Sequence, residues 1–264
     1  MKLKSSIRHT LASTGMIILA LALLAWTLNN AGRQEDKVCN EVLIELGDSD
    51  APTFMDVTDV KNILYKSVQD SLMRKRITDL PVHAIETAFQ TNPYVEEARV
   101  FIDMDNNLHI EIQQREPIAR IINKYNVHYY IDDNANKIPV NNKFTCRVPV
   151  ISGNIEEGPE GGQAIQTEQL KKAYEIVSYM LGEDMWEAQL EQLFINQEGQ
   201  VVLVPKVGDH TVLLGDLHAI DIAQQLEKLE VFYKEGLSYV GWDTYATIDL
   251  SYSDQVVCTK KTAQ

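Results

Sequence analysis

Hydrophobic and polar positions change their spacing several times along the chain, and each change marks an element. From Leu11 to Leu28 the run LASTGMIILALALLAWTL is apolar without periodicity, and no charge lies between His9 and Arg33. As a helix, eighteen residues rise about 27 Å, close to the thickness of a hydrocarbon core. Thr10, Asn29 and Asn30 extend this span into the headgroups, and Trp26 suits an interface. Beyond a polar linker (31–38), Val42, Ile44 and Leu46 alternate as a strand, which Val38 would extend, and Gly47-Asp48-Ser49-Asp50 ends it. Thr58 is placed to N-cap a helix with Val60, Ile63 and Leu64 on one face. A second helix opens at Asp79-Leu80-Pro81, carries Val82, Ile85 and Phe89 at helical spacing, and stops at Asn92-Pro93. Ala98, Val100, Ile102 and Met104 then alternate with Arg99, Phe101 and Asp103. Asp105-Asn106-Asn107 supplies a turn, and Leu108, Ile110 and Ile112 alternate again, which predicts a hairpin. Residues 39–116 thus read strand, helix, helix, strand, strand. A module of this kind covers one face of its sheet and leaves at least one edge with unpaired backbone groups.

Pro117 turns Glu116 away from helix and opens a second region. Strands are predicted over 118–122 and 128–131, with a turn at 132–136 and a short apolar strand at 148–151. Residues 153–166, rich in Gly and Glu, read as a loop. Thr167 caps a helix whose Leu170, Ala173, Tyr174, Val177, Met180 and Leu181 form one stripe, with Gly182 following it. Glu198-Gly199 joins two strands that end in Val201–Val204, and another runs over Thr211–Leu214. A helix from about Leu217 to Lys234 aligns Ile222, Leu226, Leu229 and Tyr233. Strands over Thr244–Ser251 and Gln255–Thr259 close the chain. The fold class is α+β: one N-terminal transmembrane helix, a β-α-α-β-β module, and a mixed β domain with flanking helices. The expected organisation is a tail (1–10), a membrane helix (11–30), a linker (31–38), the module (39–116), the β domain (117–260) and a short tail (261–264).

Lys2, Lys4 and Arg8 precede the apolar span, whereas Arg33 and Lys37 beyond it are offset by Glu35 and Asp36. That bias keeps the N-terminus in the cytoplasm and exports the remainder. A cleaved signal peptide is the alternative. The apolar run exceeds the usual core of one, and bulky residues over 26–32 occupy the positions where cleavage needs small ones. The chain of 264 residues is 45% hydrophobic and 23% charged, an ordinary globular composition. Its net charge of −14 becomes −17 for the exported part once the three N-terminal cations are set aside, and this disfavours nucleic-acid binding. Cys39, Cys146 and Cys258 lack the paired spacing of a zinc site; a Cys146–Cys258 bridge and free thiols both remain open.

Catalytic chemistry leaves no local sign. The six histidines form neither H-x-x-x-H nor H-E-x-x-H, and His128 lies near Asp132 and Asp133 in an ordinary strand-to-turn context. No nucleophile elbow occurs, and Gly158–Gly162 lacks the Lys-Ser/Thr pair of a phosphate loop. No catalytic, cofactor-binding or metal-ligating residue is assigned. An exported enzyme with an unrecognised site would instead show a deep pocket of converging ionisable groups.

The order of parts and several short motifs resemble the bacterial cell-division FtsQ/DivIB family. Asn92-Pro93-Tyr94-Val95-Glu96-Glu97-Ala98-Arg99-Val100 is similar to its N-P-x-V-x-x-A-x-V stretch. Leu108–Arg120 (LHIEIQQREPIAR) resembles its strand leading into E-R-x-P-x-A, with Gln114 at the first Glu position. Tyr130-Ile131-Asp132, Arg147–Gly153 and Ile248-Asp249-Leu250-Ser251-Tyr252 resemble its later motifs; Ser251 stands where the family's I-D-L-R-Y has Arg. That departure puts a charge-assisted pair to a partner in doubt there, and Arg120 or Arg147 is not assumed to replace it. The resemblance implies a POTRA module, a β domain, no enzymatic activity and no cofactor or small-molecule substrate. It also implies a single-pass inner-membrane protein that binds an FtsB–FtsL-like pair through its final strands, with FtsK-like, FtsA-like and FtsW-like proteins as further candidate partners. Strand addition at a sheet edge suits that role, and the expected contact residues are Tyr245, Ile248, Leu250, Tyr252, Gln255, Val256 and Val257. Other POTRA proteins, serving outer-membrane assembly or secretion, would need repeated modules and a long series of barrel strands.

The span carries a direct test. Replacing Leu19 and Leu23 with Arg costs about 2.5–3.5 kcal/mol for each charge at mid-membrane. The double variant should appear in the soluble fraction, and unchanged membrane retention would contradict the reading.

Overall fold

A computed structural model describes residues 15–27, 37–47, 54–68, 75–159, 164–253 and 255–261. The chain divides into two compact units whose segments interleave. Met1–Leu46, Val57–Phe89 and Ala98–Ile112 form one; Gly47–Asp56, Gln90–Glu97 and Gln113–Gln264 form the other. Of the N-terminal apolar stretch, residues 15–27 form a helix, α1. The remainder of the expected span over 11–30 lies outside the described residues, as do the 1–10 tail and linker residues 31–36. Among the described residues no helix is long and apolar enough to cross a membrane.

The first unit holds β1 (Val42–Leu46), α2 (Val57–Val68), a 3-10 turn (Ile77–Asp79) and most of α3 (Val82–Gln90), β2 (Val95–Ile102) and β3 (Leu108–Gln114). Its sheet runs β1-β3-β2, with β1 parallel to β3. Alternation turns Ala98, Val100, Leu108, Ile110 and Ile112 inward, and they are buried along with Val60 and Leu64 of α2 and Ile85 and Phe89 of α3. Three local expectations shift. Val38 lies outside β1 and makes only an isolated bridge to Arg76. Thr58 falls inside the first turn of α2, which already begins at Val57. Pro81 stands just before α3, where its carbonyl accepts the Ile85 N–H. The β2–β3 tip is held by Asp103, whose carboxylate accepts the Asn107 N–H at 2.8 Å and pairs with His109 at 2.9 Å. Those bonds, the Asn107 N–H foremost, pull the Asp103 pKa down to about 2. Asn106 follows in the left-handed region at φ 66°, which Asn tolerates.

The second unit contains β4 (Pro117–Ile122), β5 (His128–Asp132), β6 (Lys137–Pro139), β7 (Val150–Gly153), α4 (Glu168–Leu181), α5 (Asp184–Gln189), β8 (Leu190–Ile195) and β9 (Gln200–Pro205). They are followed by β10 (Thr211–Asp216), α6 (Ile222–Val231), a π-helical turn (Phe232–Leu237), α7 (Ser238–Val240), β11 (Tyr245–Asp249) and β12 (Val257–Lys260). The strands form one sheet of nine, in the order β12-β11-β10-β9-β8-β7-β4-β5-β6. Register places Ile121, Ile151, Leu193, Leu203, Val212 and Ile248 in one row across it. These residues share a core with Leu170, Ala173, Val177 and Met180 of α4 and with Leu226 and Leu229 of α6. The helices therefore lie on one face. Tyr130 points to the other face, where it packs with Phe54, Ile138, Tyr94 and Phe144.

The periodicity does not reveal β6, α5 or the π-helical turn. The first two are too short to show a period, and Leu217–Ala219 form a turn because Asp221 caps α6 by accepting the Gln224 N–H. Motif residues meet in space: Arg115 Nη1 donates to Asp132 at 2.6 Å, and the same carboxylate accepts the N–H groups of Asn134 and Asn136. Gly153, at φ 109°, lies where a Cβ would come within 2.0 Å of the Ile195 carbonyl oxygen, so β7 and β8 pair there only with glycine. The loop before α4 is tied by Glu157. It accepts from the Gln166 and Thr167 N–H groups, the Thr167 hydroxyl and Lys137 Nζ, while Thr167 itself caps α4. Burial alone would raise the Glu157 pKa, but these donors outweigh it and bring it below the usual carboxylate value.

Lys137 and Glu157 side chains are 1% and 7% exposed. Lys137→Met should destabilise the β domain by about 3–5 kcal/mol in chemical denaturation, because it strands a buried carboxylate. The Glu157 contribution should be present above the unfolded carboxylate pKa and fade as pH falls through the depressed folded value.

Candidate docking edge

The sheet's two outer strands are unlike. β6 has three residues and ends in Pro139, and Asn136 beside it bridges to Ala164. Shortness, proline and a covering segment are the usual ways of closing an edge. β12 has none of these, and no strand lies beyond it among the described residues. It pairs antiparallel with β11, matching Ile248 to Cys258 and Asp249 to Val257. Lys261 N–H donates to the Thr244 carbonyl, and ladder bonds alternate along an antiparallel strand. Val257 and Thr259 therefore bond inward, and the backbone groups of Cys258 and Lys260 face outward. Lys261 Nζ, 3.1 Å from Asp209 and 4.0 Å from Asp243, fastens the end of the strand.

The turn between β11 and β12 is latched to α6. Lys228 Nζ donates to the carbonyls of Leu250 at 3.1 Å and Tyr252 at 2.6 Å, and Ser251 N–H donates to Asp249 at 2.9 Å. Beside β12 lies a groove of about 550 Å³ whose lining includes Val231, Phe232, Gly236 and Val256 together with Glu227 and Glu235. Helical spacing places Lys228, Val231 and Glu235 along one stripe. A Cβ at Gly236 would meet the Phe232 ring at 2.9 Å, so glycine there leaves room for the ring. Phe232 also lies 6.1 Å from the Tyr245 ring. Near the start of β10, His210 Nε2 pairs with the Tyr233 hydroxyl at 2.9 Å while Nδ1 has no partner. Burial, then the Lys261 charge, lowers the His210 pKa against the opposing pull of Asp209 and Asp243.

The expected contact residues do not all reach a surface. Ile248 and Leu250 are fully buried beneath the helices, because β11 alternation turns both inward; as direct contacts they are corrected to core residues. Tyr245 is half-buried against that core. Tyr252 and Val257 are 50% and 41% exposed, Gln255 is exposed, and Val256 lines the groove. Sequence reasoning missed Lys228, Val231, Phe232 and Lys260. Its one signal was Val231-Phe232, two apolar residues off the predicted buried stripe and 51% exposed at Val231.

Other candidate chemistry is engaged elsewhere. All three cysteines are free, and burial raises the pKa of Cys146 and of Cys258. His128 Nδ1 pairs with Arg120 at 3.1 Å, and no group of three or more metal-ligating side chains occurs among the described residues.

Together these features define an α+β protein with a small helix-covered module and a one-sided nine-stranded sheet ending in an open strand. Residues 37–113 match a POTRA-like domain. Residues 116–259, more than half of the chain, match the family described as FtsQ/DivIB, C-terminal related, and the chain belongs to that family. It is also similar to the cell division protein FtsQ of Geotalea daltonii, 27% identical over 183 residues covering 69% of this chain. That alignment spans 64% of the relative, so the chain matches just under two thirds of its length.

Lys228→Met should free the β11–β12 turn at a cost of about 1–2 kcal/mol, the worth of two partly solvent-screened bonds. Hydrogen exchange should quicken over 250–258 and stay unchanged in α4.

Proposed function

We propose that the chain is a non-catalytic cell-division protein of the bacterial inner membrane that joins early and late division proteins. It docks an FtsB–FtsL-like pair by strand addition to β12. The observation that carries this reading is the contrast between the guarded β6 edge and the open β12 edge. Family membership and the name of the similar FtsQ protein support the division role. The anchor is the 11–30 span with its N-terminus in the cytoplasm, supported by the uncharged run and the basic flank before it.

An incoming strand would pair with the outward groups of Cys258 and Lys260 and lay apolar residues over Val231, Phe232 and Val256. Glu227 and Glu235 favour a partner segment carrying Lys or Arg, since Lys228 is already spent on two carbonyls. Tyr252, half exposed at the end of the ribbon, offers contact area at small rotamer cost.

Lys260→Pro removes an outward N–H and leaves the bonds to β11 intact. With the FtsB–FtsL-like pair, recovery from native membranes should fall about ten-fold, from the lost bond together with the misfit of the proline ring. Tyr252→Glu should also weaken recovery, and both variants should keep the circular dichroism of the parent. Undiminished recovery with both would overturn the docking mode, and normal septation after complete depletion would overturn the division role.

A further inference from the structure

One end of the POTRA-like unit gathers features unrelated to β12. The chain enters this unit at Lys37, and the entry is stitched to the β2–β3 tip. Asn40 N–H donates to the Asn106 carbonyl at 3.0 Å, and Asn40 Nδ2 to the Asp105 carbonyl at 2.7 Å. On the other side, Ile77 N–H donates to the Lys37 carbonyl and Cys39 N–H to the Lys75 carbonyl, each at 2.9 Å. Entry point, tip and 3-10 turn thus form one surface, with a hollow lined by Lys37, Ile77, Ile102 and Met104 among others.

Met104 is the apex of this surface. It is 97% exposed, the most exposed large apolar side chain among the described residues. Nor is it on a loose loop: Asp103 binds Asn107 and His109 across the turn, and Asn106 N–H donates back to the Asp103 carbonyl. A methionine fixed at full exposure loses favourable burial in water, and its flexible thioether suits an irregular apolar medium.

The tether is short. From Asn30, the last residue of the expected span, to Lys37 there are seven residues, so the entry lies within about 25 Å of the span's end even when fully extended. Charge around the tip is close to balanced, with Lys37, Lys75 and Arg76 against Glu41, Asp79, Asp103 and Asp105. The chain as a whole carries −14, so this is a part of it that an anionic bilayer repels only weakly.

We propose that the β2–β3 tip of the POTRA-like unit rests on the bilayer that holds the chain's own anchor, with Met104 inserted at the boundary between headgroups and acyl chains. The inference rests on the anchor reading above. Contact is apolar rather than electrostatic, because the surrounding side chains leave no net positive charge; it therefore does not require anionic lipid. Such a foothold would fix the direction in which β2 and β3 rise from the membrane.

The test uses the full chain in vesicles of phosphatidylcholine alone and of a three-to-one mixture with phosphatidylglycerol. The photoreactive p-benzoylphenylalanine is placed at Met104 or, as control, at exposed Arg99, about 15 Å back along β2. After irradiation, lipid adducts on the corresponding peptides are measured by mass spectrometry. Burial of a methionine-sized side chain predicts at least about ten-fold more adduct at Met104 than at Arg99, in both compositions. Equal labelling at the two positions, no labelling at Met104, or labelling only with phosphatidylglycerol would overturn the contact. Alkaline carbonate extraction separates the two readings. Protein that stays in the vesicles without Met104 adducts refutes the contact alone, whereas protein released by carbonate refutes the anchor and the contact together.

Discussion

A sheet that does not close into a barrel has two outer strands, and each exposes a row of backbone donors and acceptors that must be satisfied. In this protein the constraint is met differently at the two ends. At β6 the strand is cut to three residues, ends in proline and has the Asn136–Ala164 bridge beside it. At β12 the outward groups of Cys258 and Lys260 face no other strand among the described residues. The open end is nevertheless firmly mounted. Lys228 grips the carbonyls at the turn, Lys261 grips the aspartates at the other end, and Ile248 is sunk in the core beneath. Fixing the strand in advance lowers the ordering cost of adding another, which is what the proposed docking needs.

The one-sided packing of the sheet follows from the same economy of layers. α4 and α6 cover a single face, and their buried stripes fill the rows made by Ile121, Ile151, Leu193 and Leu203. Where α6 runs on into the π-helical turn, the buried stripe continues through Tyr233 and Leu237, and Val231 and Phe232 lie off it and line the groove beside β12. On the far side of the domain, burial serves order. Glu157 joins Lys137, the preceding loop and the Thr167 cap, so α4 starts at a defined place.

Local periodicity carried much of the fold. Alternation over Ala98–Met104 and Leu108–Ile112, and the stripe from Leu170 to Leu181 with its Thr167 cap, fall largely on β2, β3 and α4, although Met104, expected on the inward row, lies beyond β2 and is exposed. Three elements escaped: β6 and α5 are shorter than the window in which a period is visible, and the π-helical turn falls at the end of the helix predicted to Lys234. Among the candidate contacts, alternation by itself puts Ile248 and Leu250 on one face, since residues two apart share a face, but it puts Tyr252 there too, and that residue is exposed. Which face was inward depended on where α6 lies.

The amino-acid sequence alone determined what short-range physics decides: where strands and helices form, where turns break them, that an uncharged apolar run opens the chain, and that the chain resembles one family. Only the tertiary structure decided which strand is outermost, that Arg115 meets Asp132, and that Lys228 reaches the carbonyls of Leu250 and Tyr252. The reason is that pairing order and long-range contacts depend on the simultaneous packing of segments far apart in the chain, and no local window contains both partners.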